Sequence, residues 1–322
     1  MTTMNAAVVT AFDQPPQYSE FPVPEARGAD EQLAEVLAAG LHPRVRTGAS
    51  GAHYTSSGTL PMVPGIDGVA RRDDGSLVYF VADDDVVGTM ADRAVVDARR
   101  SIPLPSDADV PLIAAAMNPA MSSWVALRKR VTLTPGSSVL VLGATGNAGT
   151  PAVQLAKRLG AGRVIAAGRS RARLDALADL GADELVQLTD DTDATARSLA
   201  DAASEIDVAV DYLWGEPTSR AIMAILTARE DKGRALDWVE IGGMAGPTIE
   251  LPSVALRSAN FRLSGSGQGA LSPRGFLAEL PSLIDELLAG AVALSPRVIP
   301  LSDVERVWNE PDVPGERIVF VP

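Results

Sequence analysis

The sequence predicts an α/β protein in which a doubly wound parallel sheet follows an irregular β-rich region. Three observations predict it. The texture of the chain changes near Pro111, and short strand-like and helix-like segments alternate from there to about Leu263. Within that stretch a wholly apolar strand runs through a tight glycine turn into a helix. At 322 residues, with about 150 residues per domain, the chain is long enough for roughly two domains with sizeable cores. Hydrophobic residues at 46% and charged ones at 21% are globular proportions and exclude global disorder.

In the first hundred residues, β-type runs at 6–10, 77–81 and 94–96 are punctuated by Pro, Gly and Asp, with little helical periodicity. Residues 112–116 and 124–130 then suggest two helices. Residues 139–142, Val-Leu-Val-Leu, are apolar at every position, as a strand buried on both faces should be. Thr150-Pro151 can open a helix reaching Leu159, because the N–H that proline lacks has no partner in a first turn anyway. Next come a strand at 164–166, a helix at 173–180 stopped by Gly181, a strand at 185–188, a helix at 194–203 and a strand at 208–212. Further strands are expected at 238–241 and 261–263. Six strands with intervening helices match two βαβαβ halves, the doubly wound arrangement that holds dinucleotides. Beyond it, 275–288 reads as one amphipathic helix and 317–321 as a last strand returning to the N-terminal region. No solenoid-period repeat or low-complexity segment interrupts this plan.

Charge and composition exclude several classes of function. With 28 basic and 41 acidic residues the net charge is −13, a field that repels phosphate backbones and anionic headgroups, so no nucleic-acid or membrane partner is expected. The absence of cysteine removes disulfides, thiolate catalysis and cysteine-ligated zinc or iron–sulfur sites. Only His42 and His53 offer imidazole, and no metal is expected. The N-terminus has no basic segment followed by a long apolar one, and no stretch approaches about 18 uninterrupted apolar residues, which predicts a soluble, cytoplasmic protein.

The strongest motif is Val139-Leu-Val-Leu-Gly143-Ala144-Thr145-Gly146-Asn147-Ala148-Gly149-Thr-Pro-Ala-Val-Gln-Leu-Ala-Lys157. A strand, a glycine turn and a helix in this order let backbone N–H groups and the positive helix end face a pyrophosphate without Cβ obstruction. The spacing is G-x-x-G-x-x-G rather than G-x-G-x-x-G; the strand–turn–helix context supplies the specificity that the spacing lacks. About twenty residues further on, an NAD site places an acid on the ribose 2′-hydroxyl. Here Gly168-Arg169-Ser170-Arg171-Ala-Arg173 stands instead. Arg169 can grip a 2′-phosphate bidentately and Ser170 can donate to it, so NADP(H) is the expected cofactor. Arg171 and Arg173 also fit as solvated residues of the following helix.

Motifs spread over nearly the whole chain carry a family resemblance. They are Ala38-Ala-Gly40-Leu-His-Pro43, Val63-Pro-Gly-Ile-Asp-Gly68, Ala114-Ala-Ala-Met-Asn-Pro-Ala-Met-Ser-Ser-Trp124, the glycine loop, Leu180-Gly-Ala-Asp183 and Pro314-Gly-Glu-Arg-Ile-Val-Phe320. In their order and spacing the chain resembles the zinc-independent quinone oxidoreductase branch of the medium-chain dehydrogenase/reductase superfamily. The resemblance implies a Rossmann doubly wound sheet (residues 119–268) inserted in a GroES-like β-rich catalytic domain made of residues 1–118 and 269–322, with the active site in the cleft between them. It also implies a homodimer or homotetramer, and hydride transfer from NADPH to a quinone or an α,β-unsaturated carbonyl compound. The superfamily's zinc enzymes use a cysteine near the Ala-Ala-Gly motif and a His–Glu pair further on. This chain has no cysteine, and no histidine stands at Gly65-Ile-Asp67. The reductase branch usually has Asn-Pro where His42-Pro43 stands.

Candidate substrate contacts follow. His42 can hydrogen-bond the nicotinamide ribose or donate to a developing enolate oxygen, or it is a loop histidine satisfied by backbone. Tyr54 can donate to the substrate oxygen, or simply line a wall. Asn118 and Ser122 or Ser123 are pocket or nicotinamide-side contacts, or caps and turns. Tyr212, Gly242, Gly243, Gly265 and Ser266 fall at carboxyl ends of strands, where a doubly wound crevice is lined. Arg317 matches a superfamily position that can contact the pyrophosphate. Two competing readings remain open. One is reduction of an acyl-thioester double bond, with Arg44, Arg46, Arg99 and Arg100 on the thioester tail. The other is a non-catalytic NADPH-responsive binding protein. Short-chain and NmrA-like proteins share Gly-Ala-Thr-Gly but place it near the N-terminus, not at position 143.

Overall fold

The computed structural model describes residues 2–53, 55–82, 86–267, 269–313 and 315–322. The chain opens with β1 (Thr3–Val8), β2 (Gln17–Pro22), β3 (Glu31–Gly40), α1 (Pro43–Ala49), β4 (Asp67–Arg71), β5 (Leu77–Val81), β6 (Arg93–Asp97), β7 (Ser101–Leu104) and α2 (Val110–Val125). An alternating series follows: β8 (Ser138–Leu142), α3 (Gly149–Arg158), β9 (Arg163–Gly168), α4 (Arg171–Ala178), β10 (Glu184–Gln187), α5 (Thr192–Ala203), β11 (Val208–Asp211), α6 (Gly215–Ala228), β12 (Leu236–Glu240) and β13 (Phe261–Gly265). It closes with α7 (Pro273–Leu277), α8 (Leu280–Leu288), β14 (Ser295–Pro300), α9 (Val304–Val307) and β15 (Glu316–Val321). Two compact units result. The first comprises Met1–Asn118, Leu280–Ala289 and Leu294–Pro322, the second Pro119–Glu279 and Gly290–Ala293.

In the second unit six parallel strands lie in the order β10-β9-β8-β11-β12-β13. Counted within the unit this is 3-2-1-4-5-6, the doubly wound order whose direction reverses between β8 and β11. The apolar runs explain it. Along β8, Val139 and Val141 enter one core with Val164, Ala166, Val208 and Val210, while Leu140 and Leu142 enter another with Ile165, Ala167, Ala209 and Trp238. A strand covered on both faces needs apolar residues at every position, and each large one contributes about 1.5–3 kcal/mol relative to exposure. Trp238 meets Phe261 edge-on, with ring centroids 6.3 Å apart.

In the first unit β1 and β2 form an antiparallel pair, and a seven-stranded sheet runs β14-β15-β3-β4-β5-β7 with β6 also pairing β3. All its pairs are antiparallel except β14 with β15. The C-terminal strand thus completes a sheet begun by the N-terminal segment. Ala38 and Ala39 bury against it, and Gly40 is required by closeness: a Cβ there would lie 2.4 Å from the carbonyl oxygen of Ala114.

Two helix expectations are corrected. Residues 275–288 are not one helix but α7 and α8, because Pro281 has no N–H to offer the carbonyl of Leu277 and its ring crowds that carbonyl, which is where α7 ends. Residues 112–116 and 124–130 are joined in α2, which contains Pro119 and runs on into a π-helical turn, Ala126–Arg130. Burial of Ile113, Met117, Ala120 and Trp124 along its length outweighs the proline's helix-breaking tendency. The stretch Val110–Arg130 is long and apolar enough to cross a membrane, but 72% of its most apolar window is buried inside the protein, as in a core helix.

Candidate active site

At the exit of β8 the backbone turns in very little space. Gly143 has φ +82°, and the N–H groups of Gly143 and Ala144 both donate to the Ala167 carbonyl of β9, at 2.9 and 3.0 Å. Gly149, the first residue of α3, packs on that turn: a Cβ would stand 2.2 Å from the Gly143 oxygen. Any side chain at 149 would push the helix off the turn. The Thr150 hydroxyl donates to Ala144 O at 3.1 Å, and Gly146 lies exposed at the tip. The N-terminus of α3 thereby stands at the carboxyl edge of the sheet, beside the reversal of strand order, where a dinucleotide pyrophosphate meets a helix end; the N–H groups of Gly143, Ala144 and Gly146 are already taken by the carbonyls of Ala167 and Gly143 and shape the turn. The fit rests on closeness: glycine at 149 lets the helix end approach the turn, and Gly146 at its tip presents no side chain to an approaching phosphate.

The end of β9 adjoins the same turn, since a Cβ on Gly168 would come within 2.6 Å of the Thr145 side chain. Arg169 and Arg173 are exposed, Arg171 pairs with Asp175 at 2.5 Å, and Ser170 precedes α4 without a side-chain cap bond. The Arg169 carbonyl accepts from Gln187 at 3.1 Å, whereas its guanidinium has no partner among the described residues.

At the reversal itself, β11 ends in a fully buried carboxylate. Asp211 accepts from the N–H groups of Leu213 (2.8 Å) and Trp214 (3.1 Å), from the Thr218 hydroxyl (2.7 Å) and from the Trp238 indole (3.0 Å). These four bonds hold a turn in which Trp214 takes φ 53°, ψ −161°, a region otherwise nearly reserved for glycine and costing about 1–3 kcal/mol. Among the described residues it is the only non-glycine at positive φ. Tyr212 shares its hydroxyl with Ser122 at 3.0 Å, and Ser122 donates onward to Pro119 O at 2.8 Å. Burial pushes the Tyr212 phenol up to about 12, so it stays protonated. Gly242 and Gly243 form the loop after β12, and the N–H of Ser266 after β13 donates to Glu240 O at 2.8 Å. Burial, then the charge of Asp211, raises the Glu240 carboxyl above its ordinary value. Sequence reading did not single out Asp211 or Trp214. An acid closing the otherwise apolar run Val208–Asp211 was the available signal for the first.

In the first unit His42 and Asp67 come together, Nε2 to Oδ1 at 3.1 Å, both nearly fully buried. Tyr79 donates to the other Asp67 oxygen at 2.8 Å, and the Thr89 hydroxyl to the Asp67 carbonyl at 2.9 Å. Burial drives the His42 pKa below 6.5, against the pull of Asp67, and drives the Tyr79 hydroxyl well above its ordinary value. With the imidazole neutral, Nε2 holds the proton for Asp67, and Nδ1 is a buried acceptor without a partner among the described residues. Arg317 is 4% exposed, not a surface residue. It donates to Leu41 O at 3.1 Å and lies 3.6 Å from Asp312, and burial lowers its pKa. Asn118 is half-buried in α2. Tyr54 lies outside the described residues. Among those described, no three His, Cys, Asp or Glu side chains cluster as a metal ion requires.

Fold, turn and strand order define a dinucleotide-binding α/β protein. Comparison with known proteins narrows the class. The family described as zinc-binding dehydrogenase matches residues 148–280. A protein described as a probable NADPH-dependent quinone reductase from Emericella nidulans is 30% identical over 364 aligned positions, covering 99% of this chain and 100% of that one. A chloroplastic NADPH-dependent alkenal/one oxidoreductase of Arabidopsis thaliana is 28% identical, over 61% of this chain and 53% of its own. Among solved structures, the quinone oxidoreductase from Thermus thermophilus, also solved in complex with NADPH, superposes with a TM-score of 0.80 at 25% identity, covering 99% of this chain and 100% of that one. The chain belongs to the quinone oxidoreductase branch of the medium-chain dehydrogenase/reductase superfamily, with a Rossmann sheet and a GroES-like β-rich part.

Proposed function

We propose that this protein is an NADPH-dependent, metal-free oxidoreductase that reduces a quinone or an α,β-unsaturated carbonyl compound. The observation that carries this reading is the Gly143–Gly149 turn at the reversal of strand order, flanked by the unpartnered Arg169 at the end of β9. Relatives described as NADPH-dependent reductases support it. When bound, NADPH supplies the hydride. The turn of Gly143, Ala144, Thr145, Gly146, Asn147, Ala148 and Gly149 seats the pyrophosphate at the start of α3, with Gly143, Ala144 and Gly146 shaping the turn through their own backbone bonds. Arg169, with Gly168, Ser170 and Arg173, holds the 2′-phosphate, for which a guanidinium offers a charged fork. Ser122, Tyr212, Gly242, Gly243, Gly265 and Ser266 border the nicotinamide half, and Arg317 is a pyrophosphate contact on the family resemblance alone. Negative charge that develops on the substrate oxygen needs fixed donors, and Asn118 and Tyr54 are the candidates. His42, with its proton committed to Asp67, serves through Nδ1 as an acceptor for a hydroxyl of cofactor or substrate. On the family resemblance we read the protein as a cytoplasmic homodimer or homotetramer.

The thioester reading draws no support from its basic residues. Arg46 binds Trp308 O, Glu310 O and Asp312, Arg99 binds Asp97, Arg44 binds Thr55 and Arg100 binds Ala82 O, all within the first unit. The test of the leading reading is oxidation of NADPH by the purified protein with menadione and with a simple enone. Turnover with either acceptor, and slower turnover with NADH, is the expected result. NADPH bound tightly but oxidised with neither acceptor would replace this reading with that of a binding protein.

A further inference from the structure

A tryptophan occupies a conformation that glycine would adopt without strain, and it does so at the carboxyl end of the sheet. Trp214 at φ 53°, ψ −161° is followed by Gly215 at φ 66°, and the turn is pinned from below by Asp211. It is also pinned from the side. The N–H of Ala245 donates to Leu213 O at 2.7 Å and that of Met244 to Tyr212 O at 3.2 Å, so the loops after β11 and β12 are fastened together. Trp124, Trp238 and Trp308 are buried, whereas Trp214 is half-exposed. Met244, on the fastened loop, is 76% exposed, the most exposed large apolar side chain among the described residues. Met244 thus stands open on a rim that also carries the partly exposed Trp214, although burying it would be favourable. A strained residue held this firmly points to use by a ligand.

The position of the rim says which ligand. In a doubly wound sheet the pyrophosphate sits at the first turn and the adenosine ribose at the end of the next strand, here β9. The other half of the dinucleotide, and the acceptor that must meet it, therefore lie over β11 and β12, on the side of Trp214. We infer that Trp214, with Met244 on the loop fastened to its turn, is a specificity-determining wall against which a planar aromatic acceptor, a quinone ring, stacks. This rests on the proposed function above. An indole face and a thioether suit a flat polarisable ring and give little to a small aliphatic enone.

The test uses the full-length protein loaded with NADP+ and titrated with menadione while tryptophan emission is followed, in parallel with Trp214→Phe. The expected result is a saturable loss of emission in the wild type that is absent from the variant. In steady state, Trp214→Gly should raise KM for menadione about three- to tenfold and leave KM for but-3-en-2-one unchanged. Trp214→Phe, which keeps an aromatic face, should lie between. Trp214→Gly and Trp214→Phe should both keep a single cooperative unfolding transition, which separates a lost acceptor contact from a lost fold. Intact NADPH binding with identical menadione quenching in wild type and Trp214→Phe would overturn the inference and leave the proposed function standing. Failure to bind NADPH at all would overturn both.

Discussion

The two units bury an aspartate in different ways. In the second unit Asp211 is met by four donors and lies in a network in which each partner is matched, so its work is positional: it fixes the turn after β11. In the first unit Asp67 is met by His42 and Tyr79, but His42 Nδ1 is buried without a partner among the described residues. Buried polar atoms without partners are costly, so a fold keeps them where something else compensates. Orphaned atoms such as Ser138 Oγ and Arg229 Nε occur in the second unit as well, away from Asp211, so the contrast belongs to these two aspartates: one holds a backbone turn, the other holds an imidazole whose second nitrogen is left to accept.

The comparison is broken most directly at Asp211. Asp211→Ala strips partners from the buried Thr218 hydroxyl and Trp238 indole and should cost about 3 kcal/mol or more, read as a lower urea midpoint. Gly149→Ala comes next. With a Cβ 2.2 Å from Gly143 O, α3 must shift, costing about 1–3 kcal/mol and abolishing measurable nucleotide binding by fluorescence titration. In the first unit the expected effect depends on pH. Because burial lowers the His42 pKa, the unfolded chain takes up a proton below about 6.5 that the folded His42 refuses. Its contribution to stability is therefore intact above that pH and is lost as the pH falls. His42→Gln should shrink the difference between urea midpoints at about pH 7.5 and about pH 5.5; an unchanged difference would assign the acid sensitivity to other groups. Tyr212→Phe should have the smallest effect, about 1 kcal/mol, for the bond to Ser122, measured by thermal unfolding.

The same contrast explains what was legible in the sequence. The strands of the second unit are short apolar runs because both faces are covered, and β8 to β13 were readable within a few residues. In the first unit β5 was equally plain, but β2 is exposed almost throughout, β3 mixes buried and open positions, and β4 is buried at four of five positions yet begins with Asp-Gly and ends with Arg, so no apolar run announces it. Helix α6 escaped reading although Ala221, Ile222, Ile225 and Leu226 repeat at helical spacing, and α1 is too short to show a period. In the site, the glycine turn was legible because close packing demands glycine. The His42–Asp67 pair was not, because 25 residues separate partners that only the sheet brings together. Trp214 was invisible because strain is a property of φ and ψ, not of residue type.

We read the second unit as an NADPH site in which Arg169 holds the 2′-phosphate. This assignment is tested by titrating the purified protein with NADPH and with NADH, in parallel with Arg169→Ala. NADPH should bind more tightly than NADH, and Arg169→Ala should weaken NADPH binding about tenfold or more while leaving NADH binding unchanged. Equal affinity for both nucleotides in the wild type, or an Arg169→Ala variant that still prefers NADPH, would contradict it.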